Sequence, residues 1–175
     1  MKKVAAILST LVILTTPALA YDIEEIGTIE ANFGGEAIVQ PTVLARDGDE
    51  ASATAFLILP GGGMSNLSLA GYSLDNKRLG LDASYMTEQP GPQTAPIAVT
   101  ITYAPRGTKE HWTSDDAPTP PNITFTTLAV EGEEGRAVAT FKALLCYAED
   151  HDSGPDTGNC RPIEGSFDTR FTVEK

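Results

Sequence analysis

The segment RAVATFKALLCY (residues 136–147) decides the fold class of this chain. Its alanine, lysine and leucine residues favour a helix, whereas Val138, Thr140 and Phe141 suit the pleated surface of a strand. Turn-forming residues flank the segment on both sides, which favours the strand. We therefore predict a strand here.

The rest of the chain after the N-terminal twenty residues consists of short runs of alternating apolar and polar residues, separated by glycine and proline. None of these segments sustains apolar positions at helical spacing over ten residues. The further strand candidates are residues 27–33, 36–45, 52–59, 66–72, 78–85, 96–103, 122–130 and 164–175. Pro41 makes the second of them an edge or bulged strand, because proline cannot donate a ladder hydrogen bond. This spacing predicts an all-β fold, an antiparallel β-sandwich of about seven to nine short strands with long loops and one disulfide.

The first twenty residues, MKKVAAILSTLVILTTPALA, have the three parts of a secretory signal peptide. Two lysines form a basic start, residues 4–14 are apolar, and Ala18-Leu19-Ala20 matches the small-x-small cleavage pattern. We expect residues 1–20 to be removed, leaving a single β-sandwich domain at residues 21–175 in the bacterial periplasm or outside the cell. No later stretch is long enough for a membrane-spanning helix, so we expect no membrane insertion after cleavage.

The mature chain is strongly acidic. Without Lys2 and Lys3, ten basic residues remain against 24 acidic ones, a formal charge of −14. Phosphate groups would be repelled, which argues against nucleic acid and anionic membrane surfaces as partners. The expected partner is therefore an unidentified protein or a small ligand.

The stretch CYAEDHDSGPDTGNC contains both cysteines of the chain, Cys146 and Cys160. An exported chain normally oxidises such a pair, and two cysteines allow one pairing. They lie at the end of one predicted strand and just before the next, so a turn brings them within bonding range. The spacing of redox motifs and of cysteine zinc sites is lacking. We predict a structural disulfide.

Three acids of the same stretch, Asp150, Asp152 and Asp156, are candidate metal ligands, because calcium prefers clustered oxygen atoms on a tightly turning loop. Their spacing departs from an EF-hand loop. Counted from Asp150, glycine falls at position five instead of six, and Arg161 stands where a bidentate glutamate is needed. The alternative is a solvated connection built from ordinary turn formers. We expect no cofactor, with calcium as the alternative.

The long loop at residues 104–121 carries the sole tryptophan, Trp112. Long ordered loops often bind partners, and tryptophan is a common interface anchor. We therefore consider Trp112 and the adjacent His111 as partner-binding residues. The alternatives are a tryptophan packed against the sandwich as a plug and a solvent-exposed histidine. His151 could join His111 in a metal or acid–base site if the two loops meet at one end of the fold.

Familiar catalytic motifs are missing from the sequence. It has no Gly-x-Ser-x-Gly elbow, and PGGGMS (residues 60–65) lacks the Lys-Ser/Thr of a phosphate-binding loop. We therefore expect a non-catalytic exported protein that binds a ligand or partner in the cell envelope. The alternative is a metal-dependent hydrolase or calcium-binding protein that uses the loop acids and histidines. Only the second hypothesis requires the loop acids and histidines to lie close together in a concave site.

Overall fold

The computed structural model describes residues 22–48, 50–107 and 109–175. Within these ranges the chain forms β-strands and no helix, so no helix there is long and apolar enough to cross a membrane. The predicted signal peptide lies outside the described residues. The strands are β1 (Asp22–Phe33), β2 (Glu36–Asp47), β3 (Glu50–Ala53), β4 (Ala55–Gly61), β5 (Met64–Ala70), β6 (Arg78–Tyr85), β7 (Ala98–Ala104), β8 (His111–Thr113), β9 (Asn122–Glu131), β10 (Glu134–Ala148) and β11 (Asp156–Glu174).

The segment that was ambiguous between helix and strand lies within β10. Ala137, Ala139 and Phe141 are buried, whereas Arg136 and Lys142 are exposed, which is the period of two expected for a strand. β10 pairs with β11 on one side and with β9 and β8 on the other. The predicted strand, and with it the all-β class, is confirmed.

The strand count is higher than predicted, at eleven in the described residues. One reason is that residues 52–59 are not one strand. Thr54 separates β3 from β4: its N–H donates to the carbonyl of Val43 (2.8 Å), and its hydroxyl accepts from the N–H of Val43 (2.9 Å). The other reason is β8, which has three residues and is too short to show a period in the sequence.

All strands belong to one connected sheet, in the order β3-β2-β1-β11-β4-β5-β6-β7-β8-β10-β9. β10 also pairs with β11, so the strands from β4 to β8, with β10 and β11, form a closed circuit. The sheet is mixed, because residues 56–58 of β4 run parallel to residues 172–174 of β11. The prediction of antiparallel pairing alone was therefore wrong. Alternation along a strand reports which face is buried and says nothing about the direction of its neighbour.

Pro41 lies in β2 opposite Thr28 of β1, and the other side of β2 has no paired strand at this position within the described residues. β3 pairs with residues 44–47 of β2, so among the described residues no strand flanks Pro41 on that side. Instead, its carbonyl accepts the N–H of Tyr72 (2.7 Å). A residue without an N–H is tolerated here because no ladder hydrogen bond is lost.

One hydrophobic core receives side chains from all eleven strands. Aromatic contacts within it join strands that are not neighbours in the sheet. The rings of Phe33 on β1 and Tyr103 on β7 lie 5.2 Å apart, and those of Tyr85 on β6 and Phe125 on β9 lie 6.5 Å apart. Such contacts require strands that are distant in the sheet order to face each other.

Candidate functional site

The predicted disulfide is present. Cys146 and Cys160 are bonded, with an S–S distance of 2.00 Å, and they are opposite each other in the β10–β11 ladder. The next pair is Tyr147 and Asp156, so residues 157–159 form a bulge and residues 149–155 form the connection between the strands. The disulfide therefore lies at the base of this connection.

Asp150 in the connection and Asp156 at the start of β11 accept hydrogen bonds from nearby backbone N–H groups. The carboxylate of Asp150 accepts the N–H groups of Asp152 (3.1 Å) and Ser153 (2.7 Å), and that of Asp156 accepts the N–H of Gly158 (2.9 Å). The hydrogen bonds from Ser153 hold the pKa of Asp150 below its usual value. These are the bonds of Asx turns. In the described ranges, no three His, Cys, Asp or Glu side chains are grouped as a metal site would need. Calcium binding by these acids stays a prediction.

His111, at the start of β8, and His151, in the β10–β11 connection, come together although they are distant in the sequence. Their rings stack, with centroids 4.7 Å apart and planes 25° from parallel. The histidines meet because β8 pairs with the end of β10, where His111 lies opposite Ala148, three residues before His151. A site that contains both histidines requires these two segments of the chain to meet, and the stacked rings show that they do.

The hydrogen bond that His111 makes requires one particular tautomer of its neutral ring. Its Nδ1 lies 3.3 Å from the carbonyl oxygen of Lys109. Since a carbonyl only accepts, Nδ1 must carry the hydrogen. In the neutral ring this leaves Nε2 as an acceptor, free of that bond. His111 is 8 % exposed, whereas His151 is exposed.

A cavity of about 220 Å³ lies beside the histidine pair. It is lined by Arg78, Gly80, Asp82, Thr102, Ala104, His111 and His151. Arg78 also lines a larger cavity of about 620 Å³, together with Tyr72, Lys77 and Arg106. We call the two cavities, which share Arg78 as a lining residue, the histidine–arginine site. Residues of the strands from β3 to β8 line it, together with residues of the β5–β6, β7–β8 and β10–β11 connections.

Arg78 differs from the neighbouring cations in its pairing. Lys77 Nζ lies 3.4 Å from a carboxylate oxygen of Asp75, and Arg106 lies 3.8 Å from Glu110. Within the described part of the chain, no carboxylate lies within 4.0 Å of Arg78. A guanidinium in this setting can form a bidentate pair with an incoming carboxylate or phosphate.

Trp112 lies in the core. It is 8 % exposed, and its ring contacts Phe33 (5.2 Å) and Tyr147 (5.5 Å), while the guanidinium of Arg161 lies 4.8 Å from its ring centroid. This placement supports the plug alternative. A partner-binding role for His111 and Trp112 stays a prediction.

Sequence reasoning missed Arg78 and Arg106 as site residues. A signal was available, since four of the twelve Lys and Arg residues occur in NKR and PRGTK, at Lys77, Arg78, Arg106 and Lys109. The two stretches are nearly thirty residues apart, and register brings them together: Arg78 pairs with Ala104 across β6 and β7.

Fold and site together define an all-β, disulfide-bonded protein with a cavity lined by histidine and arginine where its connections meet. The chain matches no family model, and no curated protein and no solved structure shows significant similarity to it.

Proposed function

We propose that this protein is an exported, non-catalytic binding protein of the cell envelope that holds an anionic ligand at the histidine–arginine site. The observation that carries this proposal is Arg78, which has no carboxylate partner within the described residues and lines two cavities. The ligand class follows from chemistry. Guanidinium groups recognise carboxylates and phosphates, and the exposed pairs of Lys77 and Arg106 are weak enough to exchange partners.

The scaffold we propose is a two-layer β-sandwich. The supporting observation is that Phe33 packs on Tyr103 and Tyr85 packs on Phe125, across strands that are not paired. In this arrangement the two layers are connected by the pairing of β11 with β4 and by the pairing of β10 with β8. Loops gathered at one end of a rigid sandwich are a common location for a binding site.

Export rests on the signal-peptide pattern of residues 1–20. N-terminal sequencing of the protein recovered from the periplasm or the medium should begin at Tyr21. Recovery of the uncleaved chain from the cytoplasm alone would contradict export.

Ligand binding is tested by calorimetry on the mature chain with inorganic phosphate and D-glucuronate as probes. We expect saturable binding of at least one probe and a loss of about tenfold or more in affinity for Arg78→Ala, because a charge-assisted bidentate contact is removed. Arg136→Ala is the matched control, since Arg136 is an exposed arginine paired with Asp168 (2.8 Å) away from the site. If neither probe binds, or if both variants weaken binding equally, the proposal fails.

The second candidate is a metal-binding protein, in the line of the metal-dependent hydrolase alternative. The observation that favours it is the bond from His111 Nδ1–H to the carbonyl of Lys109, since metal-ligating histidines commonly donate their other N–H to such a group. His111 and His151 would supply two nitrogen ligands for Zn²⁺.

Zinc titration separates the two candidates. The metal candidate predicts a saturable rise in melting temperature with ZnCl₂ that both His111→Ala and His151→Ala abolish. Calcium should not substitute, because it prefers oxygen ligands. A zinc response that persists in both variants would exclude this site.

A further inference from the structure

A second concave surface lies away from the histidine–arginine site, between β7 and β9. It is lined by residues 92–100, 114–117 and 120–125 and encloses about 780 Å³. We call it the β7–β9 groove. Its volume is within the range of ordinary ligand pockets, and strand segments form part of both walls.

The β7 wall presents an unpaired strand edge. Ile101 exchanges hydrogen bonds with Ser114: its N–H donates to the Ser114 hydroxyl (2.9 Å), and its carbonyl accepts the Ser114 N–H (2.9 Å). In an antiparallel strand, residues two apart direct their backbone groups to the same side. Val99 therefore directs its N–H and carbonyl towards the groove. Among the described residues, β8 pairs with β7 at Thr102 and Tyr103 and no strand pairs with this side at Val99.

The β9 wall presents a second edge. Within the described ranges, β9 pairs with β10 alone and is ten residues long, whereas β3, at the other end of the sheet, has four residues. Short edge strands resist unwanted pairing, and long ones invite it. A bulge at Thr126, between the pairs Phe125–Ala139 and Thr127–Val138, limits the regular edge beside the groove to residues 122–125.

The side chains that line the groove indicate what kind of ligand it can bind. Val99 and Ile123 are half-buried and Ile97 is 57 % exposed, so apolar surface lines the groove. Asp115 and Asp116 add two carboxylates, and the lining contains no Lys, Arg or His. Neither aspartate has a cation within 4.0 Å in the described part of the chain.

We propose that the β7–β9 groove binds a short extended segment of a partner protein that carries lysine or arginine. The backbone of the segment pairs with the free edge at Val99, its apolar side chains contact Val99 and Ile123, and its cation approaches Asp115 and Asp116. This is recognition by strand addition, in which main-chain hydrogen bonds supply affinity and side chains supply specificity. The proposal is independent of the histidine–arginine site.

Fluorescence anisotropy tests the proposal with the mature protein and a fluorescein-labelled peptide of sequence Lys-Val-Thr-Val-Lys-Val-Thr. We expect saturable binding at physiological ionic strength. A peptide with both lysines replaced by glutamate should not bind, because it meets two carboxylates. A peptide with proline in place of its central valine should bind more weakly, because it lacks a backbone donor and its ring is excluded from regular pairing.

The matched protein variants separate local from general charge effects. Asp115→Asn with Asp116→Asn should weaken binding about fivefold, and asparagine at position 115 keeps an oxygen to accept the hydroxyl of Thr100 (2.9 Å). The control, Asp22→Asn with Asp47→Asn, changes the net charge equally at exposed positions outside the groove. It should change affinity by less than about twofold, since distant surface charges are screened.

Amide hydrogen exchange locates the bound peptide. Exchange at Val99 should slow when the peptide binds. Unchanged exchange at Val99 with a bound peptide, equal binding of the glutamate peptide, or equal effects of the two double variants would overturn the proposal. A concentration-dependent dimer that protects Val99 without peptide would assign the groove to a second copy of this chain, and would also overturn it.

Discussion

Cys146 and Cys160 lie directly opposite each other in the β10–β11 ladder, and the register shifts immediately beyond them. The disulfide therefore fixes the two strands at the base of the connection that carries His151. The same connection is held at a second point, where His151 stacks on His111. Its two attachments place a loop residue against a strand residue that is forty positions away in the sequence.

Replacing both cysteines with alanine should lower the free energy of unfolding by about 3 kcal/mol, because the crosslink restrains a loop of about fifteen residues in the unfolded chain. Urea denaturation followed by circular dichroism measures the change. Reduced wild-type protein should show a similar loss, which serves as the control. Two titratable thiols in unreduced, denatured wild-type protein would contradict the disulfide.

Asp150→Ala should loosen the connection between β10 and β11, because two backbone N–H groups lose their acceptor. Amide exchange at Asp152 and Ser153 should accelerate at neutral pH. The pKa of Asp150 is lowered in the folded protein, so its contribution is present above the unfolded pKa and is lost as the pH falls through the folded one. The difference between variant and wild type should therefore vanish in acid.

Asp152→Ala is the control for this effect. The Asp152 carboxylate makes no hydrogen bond within the described residues, so exchange at Ser153 should stay near the wild-type rate. If calcium slows exchange in the wild type and not in Asp150→Ala, the calcium alternative gains support.

Tyr85→Phe should stabilise the protein by about 1 kcal/mol, because it removes a buried hydroxyl that is otherwise left unsatisfied. Tyr85 is fully buried, and its hydroxyl has no hydrogen-bond partner among the described residues. Denaturant unfolding at pH 8 measures the effect. The control is Tyr72→Phe, at a site where 38 % of the residue is exposed and little change is expected.

The stabilisation by Tyr85→Phe should grow above pH 10. Burial raises the pKa of Tyr85, so the unfolded chain loses this proton at about pH 10 while the folded protein retains it. The contribution of the neutral phenol is therefore complete below that pH and is lost as the pH rises towards the folded pKa. An identical alkaline decline in variant and wild type would argue against a buried, neutral Tyr85.

Gly165→Ala should destabilise the protein by about 1–3 kcal/mol through overpacking. A Cβ atom at this position would overlap the carbonyl oxygen of Glu30 and lie 2.7 Å from Cζ of Phe141. Thermal or urea unfolding measures the loss. Gly154→Ala is the control, because nothing lies within 4 Å of its added Cβ, and it should stay within about 0.5 kcal/mol of wild type.

Some residues of the candidate site could be predicted from the sequence, but their proximity in the fold could not. His111 and His151 are the two histidines of the chain, so both could be named as candidates from the sequence. The distance between their rings could not be predicted from it. Arg78 was missed because an arginine at the start of a strand resembles any solvated residue. Its significance depends on the lack of a carboxylate within 4.0 Å among the described residues, which is decided by how other segments of the chain fold around it.

The all-β class, the disulfide partners and the acidic charge could be predicted from the sequence. These are local or compositional properties: a period of two places alternate side chains of β10 in the core, and two cysteines allow one pair. Three features required the folded structure: β4 runs parallel to β11, Thr54 divides two strands, and Arg78 lines one cavity with both histidines. Strand partners and register depend on packing between residues distant in the chain, whereas alternation within a strand specifies only its buried face.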